Sequence, residues 1–112
     1  MKVDKREESG LLVVKPLEDR ITAPITQDFK ERLAELINEG HRKILLNLSN
    51  VNFVDSSGLG AIISTLKVLG ETGELAICGL QKDVLTMFKL TRMDKVFHVF
   101  SGEKEGIANF EQ

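Results

Sequence analysis

The strongest constraint on this chain is its alternation of short aliphatic runs with longer amphipathic stretches. Leu11 to Leu17, Lys43 to Leu48, Glu74 to Cys78 and Val96 to Phe100 each read as a strand. Between them, Phe29, Leu33, Leu36 and Ile37 recur at helical spacing, and so do Leu59, Ile62, Ile63, Leu66 and Leu69. A third helical segment runs from Asp83 to Leu90, with Val84, Met87 and Phe88 on one side, and a short C-terminal one carries Ile107, Ala108 and Phe110. Ile21-Thr22 reads as a further short strand, joined to the first in a hairpin through Asp19-Arg20. The order is then β-β-α-β-α-β-α-β-α, which predicts an α/β fold with helices packed on a mostly parallel sheet. Residues 1–9 read as polar and loose, and 49–54 as a loop.

Local chemistry sets several element ends. Pro16 lacks an N–H, so the first strand ends, or lies at an edge, there. Pro24 suits the first turn of a helix, flanked by Thr22 or Ala23, with Thr26 as a competing cap. Gly40 supplies the left-handed residue that closes that helix.

At 112 residues the length suits one domain, 1–112, and 42% apolar against 29% charged residues is enough for a packed core. The net charge of -2, with both signs mixed, carries no basic face for nucleic acid. No apolar run approaches the roughly 20 residues that span a bilayer, and the charged start, Met1 to Glu8, is not a signal peptide, so a cytoplasmic protein is expected. The single cysteine, Cys78, excludes an internal disulfide and reads as an inert core thiol. The histidines, His41 and His98, are far apart and the carboxylates scattered, which predicts no metal site and no cofactor.

The segment that carries chemistry is Asp55-Ser56-Ser57-Gly58-Leu59-Gly60, between a buried strand and a helix. Serine is a favoured helix cap, and a capping role alone is one reading of this turn. The other is a switch. Two hydroxyls sit at the positive end of a helix, which tolerates added negative charge. Gly58 and Gly60 leave room for another molecule to approach. A phosphoryl group would bring roughly -1.5 to -2 charges. The dipole would offset it, Asp55 would oppose it, and a partner shaped for a neutral serine would reject it. The turn lacks the G-x-S-x-G of a hydrolase elbow and the lysine of a P-loop. An anion held at the helix start is a further alternative. Val84, Met87 and Phe88 read first as core, with a patch beside the serine turn as the alternative.

These residues resemble the STAS domain family, and within it the stand-alone bacterial anti-sigma factor antagonists. Phe53-Val54-Asp55-Ser56-Ser57-Gly58-Leu59-Gly60 is similar to the family signature around a phosphorylated serine, and the length and element order agree. The resemblance implies a mixed sheet with helices mainly on one side and a non-enzymatic binding module. It implies a partner that is both anti-sigma factor and serine kinase, of the histidine-kinase-like ATPase type. The unphosphorylated chain would bind that partner and release the sigma factor, phosphorylation would reverse binding, and a PP2C-type phosphatase would reset the cycle. The acceptor implied is Ser56, with Ser57 as the alternative. The implied docking surface is Asp55, Ser56, Ser57, Gly58, Leu59 and Gly60 together with Val84, Met87 and Phe88, on a monomer or weak dimer. The family's aspartate before the first helix is replaced here by Thr22. A scaffold module of a signalling assembly, and a ligand-binding or lipid-transport accessory domain, are the competing expectations.

Overall fold

In the computed structural model, which describes residues 1–111, the aliphatic runs form the middle of a five-stranded sheet. β1 (Val3–Glu8), β2 (Leu11–Pro16), β4 (Lys43–Asn47), β6 (Glu74–Cys78) and β7 (His98–Phe100) lie in the order β1-β2-β4-β6-β7. β1 is antiparallel to β2, and every other pair in this sheet is parallel. β3 (Arg20–Ile21) and β5 (Phe53–Val54) form a separate parallel pair.

α1 (Ala23–Asn38), α2 (Ser56–Leu69) and α3 (Lys82–Leu90) pack on one face. Their apolar stripes meet the sheet side chains Leu12, Val14, Ile44, Leu46, Leu75 and Ile77. The alternate side chains Leu11, Val13, Leu45, Ala76 and Cys78 point to the opposite face, as the twofold repeat of a strand requires. There a single helix, α4 (Glu103–Phe110), covers them with Ile107 and Phe110. Gly106 lets α4 settle directly on Leu45, because an added Cβ would lie 2.8 Å from a Leu45 methyl carbon. The mixed, mostly parallel sheet with its helices mainly on one side agrees with expectation.

Three expectations are corrected. Residues 3–8 are not loose: they form edge strand β1, paired with Leu11–Pro16 from Val3↔Pro16 to Glu8↔Leu11. The segment Val-Asp-Lys-Arg-Glu-Glu is exposed or half-exposed throughout, so no apolar alternation marks it, and its charges suit an edge that must not pair with another chain. Nor does the second strand form a hairpin with the third. β3 pairs instead with β5, Arg20 opposite Phe53 and Ile21 opposite Val54, so the stretch expected to be a loop before α2 contains a short strand. The last strand is also shorter than expected: Met93–Lys95 is a 3-10 turn, Phe97 packs against Phe88, and the strand begins at His98. Gly40 closes α1 with φ 107°, as its position predicts.

The β3–β5 pair positions the serine turn. It sets Ile21 under the first turn of α2, where the Asp55 N–H donates to the Ile21 carbonyl at 3.1 Å. Gly58 is the point of closest approach. A Cβ there would lie 2.7 Å from the Ile21 carbonyl oxygen and 2.9 Å from side-chain carbons of Ile21 and Val54.

Candidate functional site

The turn into α2 is capped by aspartate and not, as expected, by serine. Asp55 is the N-cap residue, with extended backbone, and its Oδ1 accepts the Gly58 N–H at 2.9 Å. The same oxygen accepts the Ser57 hydroxyl at 2.6 Å. The other oxygen, Oδ2, accepts the N–H of Ala23, the first residue of α1, at 3.0 Å. One carboxylate therefore serves the starts of two helices whose positive ends converge on it. These bonds, the Ser57 hydroxyl foremost and then the Gly58 amide, hold the Asp55 carboxyl below its ordinary range, so it is ionised at neutral pH.

The Asp55 carboxylate also completes the start of α1. Thr22 is the N-cap residue of α1 and makes no side-chain capping bond. Asp55 supplies from α2 the acceptor that Thr22 does not. Thr26, the competing cap, instead bonds back to the Thr22 carbonyl at 2.9 Å. Its hydroxyl also lies 3.0 Å from the Ser57 hydroxyl.

The two serines thus differ. Ser56, the first helical residue, is exposed, and its hydroxyl makes no hydrogen bond among the described residues. Ser57 is half-buried between Asp55 and Thr26. Gly60 faces outward with open space around it, whereas Gly58 and Leu59 are buried.

Beside Ser56 runs an open groove of about 660 Å³. Phe53 and Val54 of β5 with Asp55 and Ser56 form one wall, and Val84, Met87 and Leu90 of α3 form the other. The groove is chiefly apolar and is edged by Asn52, Asp83, Thr86 and Thr91. Arg20 lies over the exposed Phe53 ring, 4.3 Å from its centre, in a cation–π contact. The helix carrying Val84, Met87 and Phe88 therefore does lie beside the serine turn. Its residues divide, however. Phe88 is fully buried and belongs to the core, Val84 is buried at the groove wall, Met87 is half-exposed, and Leu90 is 80% exposed. Leu90 closes the helix outside the stripe that enters the core, and so stands bare beside Met87 along the groove.

The remaining candidates lie apart from the turn. Cys78 is buried beneath α4, and burial pushes its thiol up to about 11. His41 faces Glu7 at 3.5 Å, and His98 is exposed on β7. Among the described residues, no three His, Cys, Asp or Glu side chains group to hold a metal, and no helix is long and apolar enough to cross a membrane. Thr26 is the site residue that spacing could not reveal: it stands 31 positions from Ser57 and meets it only because α1 and α2 pack side by side.

Comparison with known proteins agrees with this architecture. The profile of the STAS domain matches residues 2–106. Over 76 residues the chain is 36% identical to an anti-sigma-B factor antagonist of Staphylococcus aureus, covering 67% of this chain and 70% of that one. Among solved structures, an anti-sigma factor antagonist from Mycobacterium paratuberculosis superposes with a TM-score of 0.91 at 17% identity, covering 99% of this chain and 94% of that one. The Bacillus cell fate determinant SpoIIAA, solved in its phosphorylated form, superposes with a TM-score of 0.73 at 15% identity over 97% of this chain and 99% of that one. At such identities the two structures speak for the fold.

Proposed function

The chain belongs to the STAS domain family, and from that premise we propose that it is an anti-sigma factor antagonist switched by phosphorylation of Ser56. The observation that carries the reading is an exposed, unbonded Ser56 hydroxyl on the wall of an apolar groove. Unmodified, the serine is a small neutral group that a docked protein can cover at little cost. Phosphorylated, it brings roughly -1.5 to -2 charges. The first amides of α2 temper that charge within the chain. A partner seated in the groove would bury it next to Asp55, and an unpaired buried charge costs several kcal/mol. Binding is then lost while the fold is kept.

The partner this reading calls for is an anti-sigma factor with a histidine-kinase-like ATPase fold that docks on the groove and transfers phosphate from ATP. A PP2C-type phosphatase would reset the switch. The chain's part is binding, with no catalytic residue of its own. Support comes from the family membership, from the names of the curated relatives and from the apolar docking wall of Met87 and Leu90 beside Ser56.

The test is incubation with ATP and a histidine-kinase-like anti-sigma factor, read by intact mass and by pull-down. The wild type should gain one phosphoryl group and leave the complex. Ser56→Ala should bind and stay bound, and Ser56→Asp should bind weakly. Equal retention of both variants would overturn the reading. A second reading, a small apolar ligand in the groove, draws on its volume, which lies within the range of ligand sites. Native mass spectrometry of the purified protein decides between them: a retained small molecule favours the ligand.

A further inference from the structure

Two adjacent serines at one helix start pose a selection problem, because a kinase that reaches one hydroxyl is within about 4 Å of the next residue's backbone. Resting on the phosphorylation reading above, we propose that Thr26 is a specificity-determining residue which, with Asp55, holds Ser57 out of reaction and leaves Ser56 as the acceptor.

The argument starts from the protons. Ionised Asp55 only accepts, so the Ser57 hydroxyl must donate to its Oδ1 across 2.6 Å. The Thr26 hydroxyl has one proton, which goes either to the Thr22 carbonyl at 2.9 Å or to the Ser57 oxygen at 3.0 Å, and in both cases its oxygen covers that side of Ser57. The Ser57 oxygen is therefore engaged on both sides, and the residue is half-buried. Phosphoryl transfer requires that oxygen to present a lone pair in line with the γ-phosphorus of ATP. The O–P bond forms as the bond to the β-phosphate oxygen breaks, ADP leaves, and the hydroxyl proton passes to a base of the kinase. At Ser57 the approach from one side is filled by Thr26, and the proton is held by Asp55. The arriving phosphoryl oxygens would also meet the Asp55 carboxylate at close range. That repulsion outweighs any gain in nucleophilicity from the Asp55 hydrogen bond, since the product bears two or more negative charges within a few ångströms. Ser56 is free of the first two obstacles: it is exposed, and its oxygen is unbonded among the described residues.

Thr26 is the half of this arrangement that can be changed without uncapping a helix. In Thr26→Ala the Ser57 oxygen is opened on one side and α1 keeps both Pro24 and the Asp55 contact at Ala23. One full neutral hydrogen bond corresponds to about a tenfold change, and this is the upper limit here because Thr26 shares its one proton with the Thr22 carbonyl.

The experiment phosphorylates the full chain with ATP and the histidine-kinase-like anti-sigma factor, then maps the site by peptide fragmentation. In the wild type, phosphate should sit on Ser56. In Thr26→Ala the ratio of phospho-Ser57 to phospho-Ser56 should rise, by up to about tenfold, and Thr26→Ser, which restores the hydroxyl, should return it. Ser56 labelling in the same sample reports that the variant is folded and recognised. Ser56→Ala, with Thr26 intact, should be labelled no faster than background. An unchanged ratio in Thr26→Ala, or ready labelling of Ser57 in Ser56→Ala, would overturn the role of Thr26 while leaving phosphorylation of the turn standing. A wild-type chain that gains no phosphate would overturn the phosphorylation reading, and this proposal with it.

Discussion

The carboxylate of Asp55 accepts the backbone N–H of Ala23, 32 positions away in sequence, across 3.0 Å, so two helix starts share one acceptor. Its other oxygen takes the Gly58 N–H at 2.9 Å. Ala23 lies at the start of α1 with no capping bond from Thr22, and the acidic group it needs comes from across the site.

Asp55→Ala should therefore loosen both helix starts. Loss of an N-cap alone corresponds to a fall in Tm on the order of 5 °C for a domain of this size. Asp55→Asn keeps one acceptor oxygen but sets an NH₂ where the other stood, so its melt should fall between the two. Thermal denaturation followed by circular dichroism checks this, and coincident melts for all three chains would show that the shared cap contributes nothing.

Phe88 and Leu90, two residues apart on α3, should behave oppositely. Phe88 is wholly buried against Phe97, and Phe88→Ala should destabilise by about 3–5 kcal/mol. Leu90 is 80% exposed, and Leu90→Ala should shift stability by less than about 0.5 kcal/mol. The same change should weaken binding to the anti-sigma factor by about tenfold or more, a loss of at least about 1.4 kcal/mol. Urea melts and a binding titration on the same preparations separate the two effects. Unchanged affinity for Leu90→Ala would move the docking surface elsewhere.

Cys78 should resist thiol reagents. Burial under α4, with the negative charge of Glu103 adding to it, raises the thiol to about 11, so almost no thiolate forms at neutral pH. Labelling with a maleimide or a disulfide reagent should proceed only as fast as the α4 side of the sheet opens, and should accelerate sharply in denaturant. Rapid labelling of the native protein would show that α4 leaves the sheet often.

Acid should destabilise the fold through a small set of carboxylates. The Arg6 guanidinium, 2.6 Å away, and the Asn47 amide hold Glu103 below its ordinary range. The Met1 ammonium, at 2.7 Å, does the same for Asp28, and the Ser57 hydroxyl and Gly58 amide for Asp55. A carboxyl depressed in the folded state contributes stability above its unfolded value and loses it as the pH falls through the folded one. Tm should then be level near neutrality and fall from about pH 5 toward pH 3. Glu103→Gln should flatten part of that fall. A Tm that rises on acidification would contradict the sign.

How much of this was legible in the sequence depends on the range of the signal. The four aliphatic runs and the α1 and α2 stripes are local patterns, and Phe29, Leu33, Ile44, Leu46, Ile62 and Ile77 all lie where those patterns put them. β1 was hidden because an edge strand with both faces wet has no alternation to read. β3 and β5, two residues each, are too short for any repeat, and their pairing is decided by the packing of α1 and α2. At the site, the motif 55–60 located the turn, but which residue caps it was misread. Aspartate and serine are near-equal caps in isolation, and only the backbone shows that the cap position falls on Asp55. The Thr26–Ser57 contact follows from tertiary placement, for which no spacing rule exists, whereas Leu90 lies off the Val84, Met87 and Phe88 face and its exposure was open to the helical repeat.

Gly60 lies in the first turns of α2 with nothing of this chain near the place a Cβ would occupy. Within a helix, glycine in place of alanine forfeits about 1 kcal/mol. Gly58 recovers that sacrifice through close packing on Ile21, but Gly60 gains no contact inside the molecule. On the docking proposed above, that bareness would leave room for the partner, so a methyl group there would make a hardier protein with a poorer grip.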